Sequence, residues 1–119
     1  MSDIHALNIL PSQAVIDSIA TYRSEFDKET FNYTQLLSSL KKAVYELNFS
    51  CKYDNTNWMR EKGQDYLNNP KLFSHAPLIY LCVILGDIFK TYDLPELQEQ
   101  MSPYILECAL TRLQFFSYH

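Results

Sequence analysis

Glycine is nearly missing from this chain of 119 residues, which has only Gly63 and Gly86 and no Asn-Gly or Asp-Gly pair. An all-β fold needs such turn residues repeatedly, so their scarcity argues strongly against that class. Two isolated glycines also leave no phosphate-binding glycine loop. A helical protein is therefore the first expectation.

Paired cysteines are missing too, because Cys51, Cys82 and Cys108 are odd in number and widely spaced. A disulfide framework or a zinc site requires pairs such as C-x-x-C. Cys82 and Cys108 lie inside apolar runs, where a free cysteine usually behaves as a small core residue. We therefore expect a reducing, cytoplasmic location, with no metal site and no cofactor.

No apolar segment is long enough to cross a bilayer. The longest run, residues 76–85, has about half of the required length. Residues 1–8 lack the basic start and the apolar stretch of a signal peptide. These patterns predict a soluble protein that does not bind membranes.

A surplus of positive charge is also lacking, since 10 Lys and Arg residues face 14 Asp and Glu residues and the net charge is −4. Nucleic-acid binding requires a basic surface, so this balance argues against it. The segment 87–107 holds five acids and one base, which sum to −4, so the remainder of the chain is neutral. A concentrated acidic segment favours a basic partner.

Apolar residues recur with helical spacing along most of the chain and make up 47% of it. Such a content suffices for the core of one domain, residues 1–119. The helix starts are predicted at Pro11-Ser12, at Asn32, near Thr56, at Asp93-Leu94-Pro95 and at Ser102-Pro103. We predict a single all-α domain of five or six helices.

The central helix of this domain is predicted over residues 77–92, which are apolar on nearly every side. Pro77 fits the first turn, with Ser74 or His75 near the cap. In the helix before the middle of the chain, Lys41 and Lys42 are expected on the solvent side. Trp58 is expected in the core.

The last helix has apolar residues on two faces. Ile105, Leu106, Ala109, Leu110, Leu113 and Phe116 form the inner face, and Tyr104, Thr111, Phe115 and Tyr118 the opposite one, with Glu107 alongside. Either the second face is exposed for binding, or the helix is packed on both sides.

A partner-binding surface is predicted where carboxylates and aromatic rings share one region, because interfaces favour central aromatic residues and charges that steer association. The predicted residues are Asp87, Tyr92, Asp93, Glu96, Glu99, Tyr104, Glu107, Phe115 and Tyr118. The alternative is that these acids only keep the protein soluble.

Catalytic residues are not indicated. His5 and His119 lie at the termini, and His75 is a lone histidine beside Ser74. Glu25, Asp27 and Glu29 lack the glycine and the spacing of a calcium loop. An enzyme is the least favoured hypothesis, and a cluster of His75, Cys51 and an acid in a cleft would revive it.

Several short patterns in residues 44–115 carry a family resemblance. They are Tyr53-Asp54, Trp58, Tyr66-Leu67, Pro70, Ala76, Leu78, Cys82, Leu85, Glu107-Cys108-Ala109-Leu110 and Arg112-Leu113. With these, the second half resembles a small helical bacterial family of unknown function. The chain departs from that family at residues 90–96, where the relatives have a turn ending in Glu-Gly.

The chain as a whole is similar to the immunity proteins of bacterial contact-dependent growth inhibition systems. That resemblance implies a small cytoplasmic antidote that binds and neutralises one basic toxin, frequently a nuclease. Our leading hypothesis is therefore an immunity protein that occludes the active site of a cationic toxin domain, such as a ribonuclease. It would be a monomer or a weak dimer when free. The alternative is a homo-oligomeric regulatory or structural module that pairs through the outer face of the last helix.

Overall fold

Three helices begin at a capping side chain that the sequence predicts. In the computed structural model, which describes residues 10–49 and 56–117, the side-chain oxygens of Ser12, Asn32 and Ser102 accept hydrogen bonds from backbone N–H groups three residues later. The donor–acceptor distances are 3.3, 3.0 and 3.4 Å, respectively. Each bond satisfies an N–H group that a helix start would otherwise leave without an acceptor.

The described residues form seven α-helical segments and no strand. The helices are α1 Gln13–Ala20, α2 Tyr33–Glu46, α3 Thr56–Trp58, α4 Gln64–Asn68, α5 Leu78–Thr91, α6 Leu94–Gln100 and α7 Pro103–Phe115. Two 3₁₀-helical segments follow α1 and α4, Thr21–Asp27 and Pro70–His75. The prediction of an all-α domain is confirmed.

The third predicted helix is present, but a π-helical turn, Met59–Gly63, divides it into α3 and α4. A π turn holds one more residue than an α turn, which shifts the buried face. Trp58 lies in the core, as predicted, and its ring meets that of Tyr80 edge-on with centroids 4.9 Å apart. The extra division is why there are seven α-helical segments rather than five or six.

Helix α5 lies at the centre of the fold. Nine of its residues are buried, and it packs against α2, α6 and α7. Its start differs from the prediction, because Pro77 is the N-cap and the helix begins at Leu78. Neither Ser74 nor His75 caps it, and the Ser74 hydroxyl instead donates to the carbonyl oxygen of Lys71 at 2.9 Å.

Helix α7 presents two distinct faces. Leu106, Ala109, Leu110 and Leu113 are buried, and Ile105 and Phe116 pack against them from the edge of the core. The opposite face is exposed at Tyr104, Thr111 and Phe115. The alternative of a last helix packed on both sides is therefore wrong for its described residues.

Lys41 corrects a second expectation, because only Lys42 is fully on the solvent side. The Lys41 ammonium donates to the carbonyl oxygens of Phe89 and Tyr92, at 2.7 and 2.8 Å. These carbonyls lie at the C-terminal end of α5, where a positive charge interacts favourably with the helix dipole. Lys41 thereby fixes α2 to the end of the central helix.

Replacing Lys41 by methionine is expected to lower the free energy of unfolding by about 1–2 kcal/mol, because hydrogen bonds from a charged donor are lost while the apolar stem is kept. Urea unfolding followed by circular dichroism measures the change. Lys42→Met is the matched control and should have almost no effect. Equal midpoints for the two variants would contradict this role for Lys41.

Candidate functional site

Three carboxylates lie together at the start and along the outside of α6. Asp93 is the N-cap residue, Glu96 is in the first turn and Glu99 in the last, and all three are exposed. The helix is anchored from its other side by the fully buried Leu97. We call Asp93, Glu96 and Glu99 the α6 edge.

No ion pair joins the α6 edge to any lysine or arginine of the described residues. Three of the other described carboxylates are paired. Glu25 lies 2.6 Å from Lys28, and Arg23 lies 3.3 Å from Asp27 and 3.0 Å from Glu107. The α6 edge is therefore exposed and carries no ion pair within the part of the chain that the structure describes.

Glu107 differs from the α6 edge in this respect. Its Oε2 atom accepts from Arg23, whose Nε also donates to the Thr111 hydroxyl at 2.8 Å. Arg23 belongs to the 3₁₀ segment Thr21–Asp27, which packs along α7. Glu107 thus helps to join two elements of the fold.

Asp87 is half-buried on α5 rather than displayed. Partial burial penalises the charged form, and this raises the pKa of the Asp87 carboxyl above its ordinary value of 3.8. No ion pair to another described residue compensates. Ionised Asp87 therefore costs the folded state free energy at neutral pH.

Replacing Asp87 by asparagine should raise the free energy of unfolding at pH 7 by up to about 0.5 kcal/mol, a typical range for positions near the surface. The pKa of Asp87 is higher in the folded chain than in the unfolded chain, so protonated Asp87 favours the native state. This contribution is fully present below pH 3.8 and is lost as the pH rises and Asp87 ionises. The gain should therefore disappear below about pH 4. Urea unfolding from pH 3 to pH 8 measures it, and Glu29→Gln, at an exposed position outside the helices, controls for the loss of one charge. A gain that is equal at all pH values would contradict this explanation.

A groove of about 690 Å³ runs between α7 and the 3₁₀ segment Pro70–His75. We call it the α7 groove. Its lining is mainly apolar, and it is formed by Pro70, Lys71, Ser74, Tyr104, Glu107, Cys108, Thr111, Arg112 and Phe115. Its volume lies in the range of small-molecule sites.

Two exposed rings stand along this groove. Tyr104 is 53% exposed and Phe115 is 69% exposed. Cys108, one turn after Tyr104, lines the groove half-buried, so the expectation that it is a core residue is only partly correct. The interaction of its side chain with the Tyr104 hydroxyl raises the pKa of Tyr104 above the ordinary value.

Arg112 and Lys71 line the groove but were not among the predicted site residues. The Arg112 Nε donates to the carbonyl oxygen of Ala76 at 2.9 Å, and the guanidinium lies 4.5 Å from the centre of the Phe115 ring. Arg112 comes four residues after Cys108 and three before Phe115, so the three residues share one side of a helix. This spacing could have placed Arg112 at the groove from the sequence. Lys71 depends on the packing of the 3₁₀ segment, which no local pattern reveals.

The nine predicted site residues are thus divided among several places. Tyr104, Glu107 and Phe115 line the α7 groove, whereas Asp93, Glu96 and Glu99 form the α6 edge on a helix that packs against α2 and α5. Tyr92 is half-buried between α5 and α6, and Asp87 is half-buried on α5. Tyr118 lies outside the described residues.

Signs of other chemistry are few in the described part of the chain. There, no three His, Cys, Asp or Glu side chains are grouped so that they could hold a metal ion. His75 is exposed at the end of its 3₁₀ segment, and Cys51, its suggested partner, lies outside the described residues. None of the helices within residues 10–49 and 56–117 combines the length and the apolar character needed to cross a membrane.

Comparison with known proteins finds no relative of this chain. No protein-family model matches this chain, and neither a curated protein nor a solved structure matches it. The resemblance to immunity proteins therefore stays a prediction from the sequence, and any function has to be argued from the two surfaces described above.

Proposed function

We propose that this protein is an immunity protein that binds a cationic toxin domain and blocks its active site. The observation that carries the proposal is the α6 edge, whose three carboxylates are exposed and have no ion-pair partner among the described residues. A surface of this kind attracts a basic partner and speeds its association.

Stabilisation of helix α6 accounts for the presence of two of these carboxylates but not for the third. Asp93 and Glu96 lie at the N-terminal end of α6, where a negative charge interacts favourably with the helix dipole. Glu99 lies in the last turn, where the dipole disfavours it, and three residues from Glu96, a spacing at which like charges repel. Glu99 therefore costs the free protein stability, and a positively charged partner would offset that cost.

Replacing Glu99 by glutamine should raise the free energy of unfolding by about 0.3–0.5 kcal/mol because that repulsion is removed. The same change should slow association with the toxin several-fold. Glu96→Gln is the matched control, since it should slow association similarly. It removes the same repulsion but also loses the favourable interaction of Glu96 with the helix dipole, so its stability should hardly change. Stability by urea unfolding and association by stopped flow give the two readings. Parallel stability changes in the two variants would contradict the argument.

The mechanism is occlusion. Carboxylates of the α6 edge take the positions that substrate phosphates occupy opposite Lys and Arg side chains of the toxin, as expected for a ribonuclease. Tyr92, which precedes Asp93 and is half-buried, is the ring nearest in sequence to this edge. Binding of this kind requires the immunity protein in the compartment of the toxin target, so we place it in the cytoplasm.

The protein encoded by the adjacent gene is the probe for this proposal. Isothermal titration calorimetry should show binding in a 1:1 ratio of chains. The affinity should fall as the salt concentration is raised from about 50 to about 500 mM, because exposed charges are screened. Binding that is insensitive to salt, or no binding, would contradict the proposal.

A further inference from the structure

The exposed face of α7 has the spacing of a coiled-coil seam. Tyr104, Cys108, Thr111 and Phe115 follow one another at intervals of four, three and four residues, and all four line the α7 groove. Alternating steps of three and four are the a and d positions of a heptad. Cys108 and Phe115 are then a positions, and Tyr104 and Thr111 are d positions.

The two charged residues beside this seam have opposite signs. In this register Glu107 is a g position and Arg112 is the e position five residues later. In a parallel two-stranded coiled coil, a g residue faces the e residue five positions later on the other helix. Two copies of α7 would therefore bring Glu107 of each against Arg112 of the other.

Both side chains retain capacity for such a contact. Glu107 uses Oε2 for Arg23, while no described residue is bonded to its Oε1. Among the described residues, the hydrogen bond that Arg112 donates comes from Nε and goes to the Ala76 carbonyl oxygen, while its guanidinium lies 4.5 and 4.9 Å from the centres of the Phe115 and Phe116 rings. Arg112 as a whole is half-buried, so part of its side chain is accessible to a second chain.

We propose that the exposed face of α7 is a self-association surface, on which a second copy of this chain packs with its α7 parallel to the first. Rings of Tyr104 and Phe115 contact their counterparts, and two symmetric Glu107–Arg112 ion pairs set the direction of the helices. The proposal is independent of toxin binding, which uses the α6 edge.

The dimer is expected to be weak. Helix α7 has only 13 residues. We expect a seam of this length to bury less accessible surface than a stable interface, which needs about 1,200 Å² in total. Sedimentation velocity over about 10 to 500 µM protein should therefore show a mass that rises from 14.0 kDa toward twice that value. A mass that stays at 14.0 kDa throughout would overturn the proposal.

A mixing experiment tests the charge register. Glu107→Lys leaves bases at both contact positions and Arg112→Glu leaves acids at both, so each variant alone should dimerise at least tenfold more weakly than the natural chain. An equal mixture of the two places opposite charges at both contacts and should recover dimers. Variants that dimerise like the natural chain, or a mixture that recovers nothing although both proteins are folded, would overturn the register.

A second pair of variants guards against loss of folding, because Glu107 and Arg112 also make contacts within the chain. Tyr104→Ala and Phe115→Ala remove exposed rings and should each weaken dimerisation at least fivefold, with unchanged circular dichroism. Tyr45→Ala on α2 is the matched control, since that ring is 60% exposed and lies outside the α7 groove. An equal effect at Tyr45 would overturn the proposal.

Cys108 reports the direction of the helices, because an a position faces the same residue in a parallel pair. Diamide takes two electrons and two protons from two thiols, which join in one disulfide, and is itself reduced to the hydrazine. The natural chain should give a covalent dimer that Cys108→Ser abolishes and Cys82→Ser does not. In antiparallel copies Cys108 would face Thr111, so a dimer without a Cys108-dependent crosslink would overturn the parallel arrangement.

Discussion

Replacing Phe73 by alanine is expected to lower the free energy of unfolding by about 3–5 kcal/mol, the usual cost of a cavity left by a buried phenylalanine. Phe73 is fully buried, and its ring centre lies 5.1 Å from that of Tyr66. It is the buried residue of the 3₁₀ segment Pro70–His75, which packs against α7. A loss of this size is a large part of the about 5–15 kcal/mol of a typical domain.

Leu72→Ala is the control on the same segment, because Leu72 is 41% exposed. Its effect should stay within about 0.5 kcal/mol, as at most surface positions. Chemical unfolding monitored by far-UV circular dichroism compares the two variants. Similar unfolding midpoints for the two variants would contradict the role of Phe73 as a core residue.

Reversing the charges of Glu96 and Glu99 together is expected to slow association with a cationic toxin domain about tenfold or more at low salt, because electrostatic steering is reversed at the contact. The two lysines change the net charge by +4, from −4 to zero. The difference from the natural chain should shrink at about 1 M salt, where charges are screened within about 3 Å. Stopped-flow association at several salt concentrations measures both effects.

The matched control carries the same change of net charge elsewhere. Glu29 and Glu61 are exposed and lie outside α6, so reversing both also brings the net charge to zero. This variant should keep most of the association rate. Equal slowing in the two double variants would show that overall charge, and not the α6 edge, governs the encounter.

The helical fold could be predicted because its determinants are local. Ser12, Asn32 and Ser102 cap helices at the predicted positions, and the apolar segment after Pro77 forms the central helix. A cap acts within one turn, and apolar spacing reports which face is buried. Neither depends on how the helices are arranged in space.

Features that depend on tertiary contacts were not predictable in this way. Lys41 looks like a surface lysine until α5 ends beside it and offers two carbonyl oxygens. The π-helical turn Met59–Gly63 and the packing of the 3₁₀ segment on α7 likewise follow from neighbours distant in sequence. Tertiary packing overrides local preference in such cases.

The candidate site shows the same division. Exposure of the acids of α6 follows from helical spacing, so these positions were found from the sequence. For the rings of α7 the sequence left two possibilities open, and the fold decides that Tyr104 and Phe115 are exposed. Their separation into an edge and a groove follows from which elements α6 and α7 pack against, and the sequence does not show this. Asp87 and Glu107 were grouped with the other acids because burial and ion pairing are properties of the folded chain.

The measurement that tests the central claim most directly is an activity assay of the protein encoded by the adjacent gene, titrated with this protein. We predict that its ribonuclease activity falls to the background level at a 1:1 ratio of chains, and that the variant reversed at Glu96 and Glu99 needs a large excess to reach it. Full activity in the presence of excess natural protein, or equal inhibition by the reversed variant, would contradict neutralisation through the α6 edge.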